Sequence, residues 1–152
     1  MYAVAFCEIS LSTFEHTVGR MVKYYADHPE GRGSLVLIET WPNKVVTAVA
    51  SDATAYPWRD AKGYVMIQFD VSNGGTVTEQ AANSLGTEWR SDFAATSGYG
   101  DLAIYVNYAH GDQSVEQVYS KAKLPRLAAL KKQFDPDNVC FYHQALPTEY
   151  HV

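Results

Sequence analysis

Glu39, Tyr105, Asn107, Tyr108 and His110 are the residues whose types and settings could do chemistry. Glu39 stands between Leu37 and Trp41. A carboxyl in an apolar setting holds its proton more tightly, which suits a general base or a stored proton near neutral pH. The run Tyr105-Val106-Asn107-Tyr108 puts two phenols and an amide within four residues. Phenols can give or take a proton, and an amide N–H can donate to a developing oxyanion. His110 precedes Gly111 and Asp112, and imidazole as a side-chain type can carry protons near physiological pH, so it suits a second proton carrier. Arg59 supplies a fixed positive charge for the rim. This set fits proton transfer on a small organic molecule, with Glu39, Tyr105 and His110 as the catalytic candidates.

The elements that must hold these residues follow from periodicity. Residues 2–9 alternate as a strand, and residues 34–41 and 63–71 do likewise. Residues 44–51 read as a further strand, forming a hairpin through Pro42-Asn43. Phe14, Val18, Met21, Val22 and Tyr25 follow helical spacing after a Ser12 or Thr13 cap, and His28-Pro29 stops that helix. Ala81, Leu85, Trp89 and Phe93 mark a second helix, capped by Thr76 or Thr78. A strand carrying Tyr105 and a last helix, broken near Leu124-Pro125, complete the order β-α-β-β-β-α-β-α. The expected fold is α+β and ferredoxin-like, an antiparallel sheet with helices packed on one face. Ala3, Ala5, Ile9, Val36, Ile38, Val65, Ile67 and Phe69 are expected to meet the helices. Phe6, Trp41, Tyr64 and Met66 would then wall an open-face site, with Asn107, Tyr108 and Arg59 as further substrate contacts.

The chain has 152 residues, 47% of them hydrophobic, which is one domain with a core. Its net charge of -5, with no basic run, argues against nucleic acid and anionic membranes as partners. Cys7 and Cys140 have no metal or redox spacing. His16 and His28 lie twelve residues apart and read as surface histidines. The Gly31-Arg32-Gly33 turn lacks the Lys and Ser/Thr of a phosphate loop. No stretch reaches the ~20 apolar residues of a membrane helix, and MYAVAFCEIS has no signal-peptide pattern. The expectation is a cytoplasmic chain with reduced thiols.

A longer composite pattern runs from Ile104 to Pro147. It comprises Tyr105, Asn107 and Tyr108, then Lys131 or Lys132 with Asp135, Pro136 and Asn138, then Gln144 and Pro147. This resembles the C-terminal signature of berberine-bridge-enzyme-like FAD-linked oxidases, and the resemblance covers nearly the whole chain, residues 1–152. It implies that the Tyr105 segment lies near the flavin. It implies too that Glu39, which precedes the Tyr56-Pro57-Trp58-Arg59 loop, is the base. Two positions depart from the family pattern. Trp58 stands where a His is usual, and His110 stands where an Asp is common, with Asp112 two residues further on.

The resemblance corresponds to the C-terminal third of a typical member, without the FAD domain or the residues that attach flavin covalently. Cofactors carry the redox chemistry, so the chain is expected to hold none unless a partner domain supplies FAD. Three functions follow. The foremost is a flavin-free enzyme for a redox-neutral cyclisation, isomerisation or elimination on a polyketide- or alkaloid-like molecule in natural-product biosynthesis. The next is the C-terminal part of a split or truncated FAD-linked oxidoreductase. The last is a non-catalytic ligand-binding or scaffold module. An aromatic open face on a small domain also predicts a homodimer.

Overall fold

The computed structural model describes residues 1–151. Three strands form one antiparallel sheet: β1 (Tyr2–Phe6), β2 (Leu35–Thr40) and β3 (Gly63–Gln68), in the order β1-β3-β2. Helix α1 (Leu11–Asp27) connects β1 to β2, and α3 (Thr76–Ala95) follows β3. Between β2 and β3 lies a single-turn helix, α2 (Lys44–Thr47). The chain ends with α4 (Val115–Tyr119) and α5 (Leu124–Phe134). This is the α+β class expected, and the split β-α-β order is the ferredoxin-like one.

Antiparallel pairing fixes which residues share a face. Tyr2 pairs with Ile67 and Val4 with Val65, while Val36 and Ile38 pair with the same two β3 residues. These side chains form one core with Met21 and Tyr24 of α1 and Trp89 and Phe93 of α3. The opposite face carries Ala3 against Met66 and Ala5 against Tyr64. The sequence-based phase of β1 is therefore reversed. Ala3 and Ala5 lie away from α1 and α3, and Phe6 faces them, 5% exposed. The reason is contact on the far side. Segment 102–109 lies close against the alanines, with the Ala5 amide donating to the Ala103 carbonyl at 2.7 Å. Only small side chains leave room for that approach. On α3, Gly86 makes the matching allowance for the Tyr2 ring.

Residues 44–51 are not a strand. Their β-branched composition suits one, but β3 already has β1 and β2 on its two edges. Asn43 instead ties the excursion down, donating from Nδ2 to the carbonyls of Asp60 at 3.0 Å and Ala61 at 3.2 Å. Thr47 turns its hydroxyl back to the Asn43 carbonyl, a local bond that closes the turn. The Tyr105 segment is not a regular strand either. It runs beside β1 to Tyr105, and Val106–Tyr108 then forms a turn of 3-10 helix. The helix caps also shift. Ser10 caps α1 by accepting from the Thr13 amide at 3.3 Å, and α3 starts after Gly75 with no side-chain cap. Thr78 donates instead to Glu30, fastening the start of α3 to the end of α1.

The Asp-Pro turn after α5 is built around one carboxylate. Asp135 accepts from Lys131 Nζ and from the amides of Val139 at 2.7 Å and Cys140 at 3.0 Å. The Lys131 hydrogen bond foremost, with those amides, holds its pKa below the usual carboxylate value. A depressed folded-state pKa stabilises the fold above the unfolded value, and that gain disappears as pH falls through the depressed one. Asp135→Asn is therefore expected to lower the unfolding midpoint at neutral pH. The gap to wild type should close as the solution is acidified below the Asp135 pKa. A gap that stays constant into acid would contradict this reading.

Candidate functional site

The far face of the sheet is half covered. Over β1 and β3, segment 102–109 and α4 bury Ala3, Met66, Ile104 and Val118 together. Over β2, Leu35 is 43% exposed and Leu37 44%, and Glu39 is exposed as well. At the boundary between the two halves stands a cluster of aromatic rings. Tyr64 lies parallel to Tyr105 with centroids 5.7 Å apart and meets Tyr108 edge-on at 5.6 Å. Tyr105 and Tyr108 meet edge-on at 5.4 Å, and Trp41 leans on Tyr64 at 4.8 Å. Edge-to-face and offset contacts of this kind add to area burial, by ~0.5–1.5 kcal/mol each.

Polar ends of the cluster are paired in an ordered way. The hydroxyls of Tyr56 and Tyr64 are 2.8 Å apart. Asn107 Nδ2 donates to the Tyr105 hydroxyl at 2.9 Å, which leaves the Tyr105 proton free to be given elsewhere. Desolvation raises the Tyr108 pKa, and the negative charge of Glu39 adds to it. Tyr64 rises for the same first cause, helped by its bond with Tyr56. Desolvation likewise raises Tyr56 and, in the loop after α3, Tyr99. These phenols are donors near neutral pH, not bases. Glu39 is then the carboxylate of the group, opposite Tyr64 in the strand register and close enough to Tyr108 to act on its ionisation.

The structure brings together Glu39, Trp41, Tyr64, Tyr105, Asn107 and Tyr108 and separates the rest of the expected set. Phe6 lies in the α1/α3 core, and Met66 is buried beneath residues 104–109. His110 stacks on Tyr2 at 4.4 Å, with Nδ1 3.1 Å from the Met1 carbonyl, and Tyr2 belongs to the opposite face. Arg59 is spent on structure. It donates to the Val46 carbonyl at 3.4 Å and to Thr54 Oγ1 at 2.5 Å, holding the α2 excursion in place. Glu39 is exposed, so the burial expected to tune it is absent from this chain.

Sequence reasoning missed Tyr56, Trp58 and Tyr99. Trp58 Nε1 donates to the Ile104 carbonyl at 3.0 Å and its ring meets Tyr99 edge-on at 5.2 Å. The Trp at this position thus clamps the segment that carries Tyr105. Tyr56, Tyr105 and Tyr119 line a small cleft of about 130 Å³ beside the cluster. The Tyr-Pro-Trp-Arg run was the available signal, because three large residues around a proline need something to pack on.

Comparisons with known proteins now bear on this geometry. Residues 104–147 match the family described as Berberine and berberine like. The chain carries the C-terminal domain of that family. It is 50% identical over 152 residues to FAD-linked oxidoreductase OXR1 of Pyricularia oryzae and 47% identical over 150 residues to FAD-linked oxidoreductase srdI of Neurospora crassa. Each match takes in 99% of this chain and 30% of the relative. FAD-linked oxidoreductase fogF of Aspergillus ruber is 44% identical over 139 residues, which is 91% of this chain and 28% of fogF. The chain thus spans less than a third of the curated relatives it matches. The fold is that of a BBE-like protein of Arabidopsis thaliana, with a TM-score of 0.70 at 12% identity, over 95% of this chain and 32% of that one.

A flavin is a flat ring edged with donors and acceptors, joined to a pyrophosphate. The Asn107 amide, the tyrosine hydroxyls and the apolar Leu35 and Leu37 fit one side of such a ring. Phosphate binding has no counterpart in this cluster, which holds no basic side chain.

Tyr64 and Tyr99 are expected to keep their protons well above the ordinary phenol range, and burial pushes Tyr56 and Tyr108 up as well. In an ultraviolet titration of the 11 tyrosines, Tyr64 and Tyr99 should ionise only when the protein unfolds at high pH. Ionisation of all of them together near the ordinary value would contradict the packing described.

Proposed function

We propose that this chain forms the substrate-side wall of an FAD-linked oxidoreductase and acts with a flavin-binding domain. The observation that carries this reading is the tyrosine face itself. Glu39, Leu35 and Leu37 lie exposed beside it, on a chain that spans 30% of its FAD-linked relatives. Such a face is half of a site, because positioning and water exclusion need a second wall. Exposed apolar side chains at the end of α5 and in the segment after it support the same reading. Phe134 is 75% exposed, Phe141 67% and Tyr142 90%. Large apolar side chains left this exposed are candidates for contact with another protein.

The flavin, when bound by its own domain, supplies the electron acceptor. This chain's residues do the rest. Glu39 takes the proton that leaves a substrate hydroxyl or carbon. Its carboxylate is steadied by the Tyr108 phenol. The Tyr105 hydroxyl, oriented by Asn107, donates to the substrate oxygen on which charge grows. Tyr64 and Trp41 supply the rings against which a flat aromatic or polyketide-like substrate can lie. A redox-neutral cyclisation or isomerisation by the free chain would use the same residues. The exposure of Glu39 gives that version no support, since positioning and water exclusion need a second wall that the free chain lacks.

The test is co-expression of this chain with the part of OXR1 that lies outside the matched region. The two should purify together with bound flavin. Glu39→Gln should leave flavin content unchanged and slow flavin reduction by substrate about 10²- to 10⁴-fold. If the two chains do not associate and the free chain turns substrate over without flavin, the proposal is wrong.

A further inference from the structure

Helix α5 stands against residues 51–55, part of the excursion between β2 and β3. The two enclose a cleft of about 290 Å³, with Asp52 and Thr54 on one wall and Lys123, Arg126, Leu127 and Leu130 on the other. That size lies near the lower end of the ~300–1,000 Å³ that small-molecule sites occupy. Two basic side chains tie the walls together. Lys123 Nζ donates to the Ser51 carbonyl and, at 2.8 Å, to the Thr54 carbonyl. Arg126 donates to the Asp52 carbonyl at 2.8 Å. Arg59 stands behind Thr54 and donates to its hydroxyl, and the buried Arg59 Nε has no hydrogen-bond partner among the described residues.

These bonds satisfy donors and leave the charges standing. Carbonyl oxygens are neutral, so three cations meet here against one lining carboxylate, that of Asp52. Among the described residues none of the three is ion-paired. The chain carries a net charge of -5, and elsewhere it pairs Arg20 with Glu88, Arg90 with Asp112 and Lys131 with Asp135. Burial first, and then the charges of Arg59 and Arg126, hold the Lys123 pKa below the ordinary lysine value, against the pull of Asp52. The start of α5 adds its positive end, with no side-chain cap to offset it. An anion entering the cleft would relieve this crowding of like charge.

The apolar wall decides which kind of anion fits. Arg126 and Leu130 are four residues apart and share one face of α5, and Leu130 is 39% exposed. We infer that this cleft binds a small organic anion with an apolar body. Its carboxylate lies between Lys123 and Arg126, and its chain lies along Leu127 and Leu130. An inorganic anion would leave the leucines without a partner, and a neutral apolar molecule would leave the cations without one. A purely structural role accounts for the hydrogen bonds of Lys123 and Arg126, which neutral donors could make, and not for their charge. The site uses no residue of the tyrosine cluster, so the inference stands apart from the flavin-partner reading.

The test is calorimetric titration of this chain with octanoate, beside acetate and 1-octanol. Octanoate should bind saturably at one site, at least about tenfold more tightly than either comparison. The shifts it induces in a heteronuclear NMR spectrum should centre on Thr54, Leu127 and Leu130. Arg126→Gln keeps a donor for the Asp52 carbonyl and removes the charge. Leu130→Gln removes the apolar contact at a partly exposed position. Each should weaken octanoate binding at least about tenfold, with circular dichroism unchanged. Should Arg126→Gln unfold the chain, Leu130→Gln and the NMR map decide the matter. No saturable octanoate binding, 1-octanol binding as tightly as octanoate, or shifts centred elsewhere overturns the inference. So does either folded variant that binds octanoate as the wild type does, which would leave the two cations only the work of holding residues 51–54 to α5.

Discussion

The close approach of segment 102–109 to β1 is the constraint on which the rest depends. It needs alanine at positions 3 and 5, and it is fixed by the Ala5 to Ala103 hydrogen bond and by Ile104, whose amide donates to the Gln117 carbonyl at 3.1 Å. Trp58 grips the same segment from the loop side through the Ile104 carbonyl. Once the segment lies there, Tyr105 and the turn at Val106–Tyr108 set two tyrosine rings against Tyr64 and leave β2 uncovered. The aromatic cluster, the buried Met66 and the open Glu39 edge all follow from that single placement.

The same placement explains how the two faces of the sheet differ. The α1/α3 face is a sealed core in which Trp89 and Ile67 have no exposed surface. The far face grades from sealed, over Ala3, to open, over Leu37. A gradient of this sort is costly for a free-standing domain, because exposed apolar surface favours association. It is economical for a domain that meets another protein along one side. The tyrosines stand at the line where covered surface gives way to open surface, which is where a substrate would lie between two walls.

Much of the fold was legible in the sequence. The alternation in residues 2–9, 34–41 and 63–71 and the spacing of Phe14, Met21, Trp89 and Phe93 gave the sheet and its two covering helices. Two kinds of information were not legible. One was phase: residues 2–6 are buried on both faces, so alternation could not say which face meets the helices. The other was pairing capacity: residues 44–51 have strand composition, but β3 has only two edges and both are taken. At the site, what spacing could give was proximity within one short segment. Tyr105, Asn107 and Tyr108 were found as a unit, and Glu39 was placed beside them. His110 and Arg59 were not, because their partners, Tyr2, Val46 and Thr54, are set by tertiary contacts that spacing does not reveal.

The central claim is that the Tyr105–Tyr108 face closes one site together with a flavin held by another domain. Flavin emission reports this directly, because a tyrosine ring close by quenches it. In the co-expressed complex, emission should be strongly quenched relative to the flavin-binding part alone, and Tyr105→Leu with Tyr108→Leu should restore a large share of it. Equal emission with and without this chain, in a complex shown to be intact, would contradict the account.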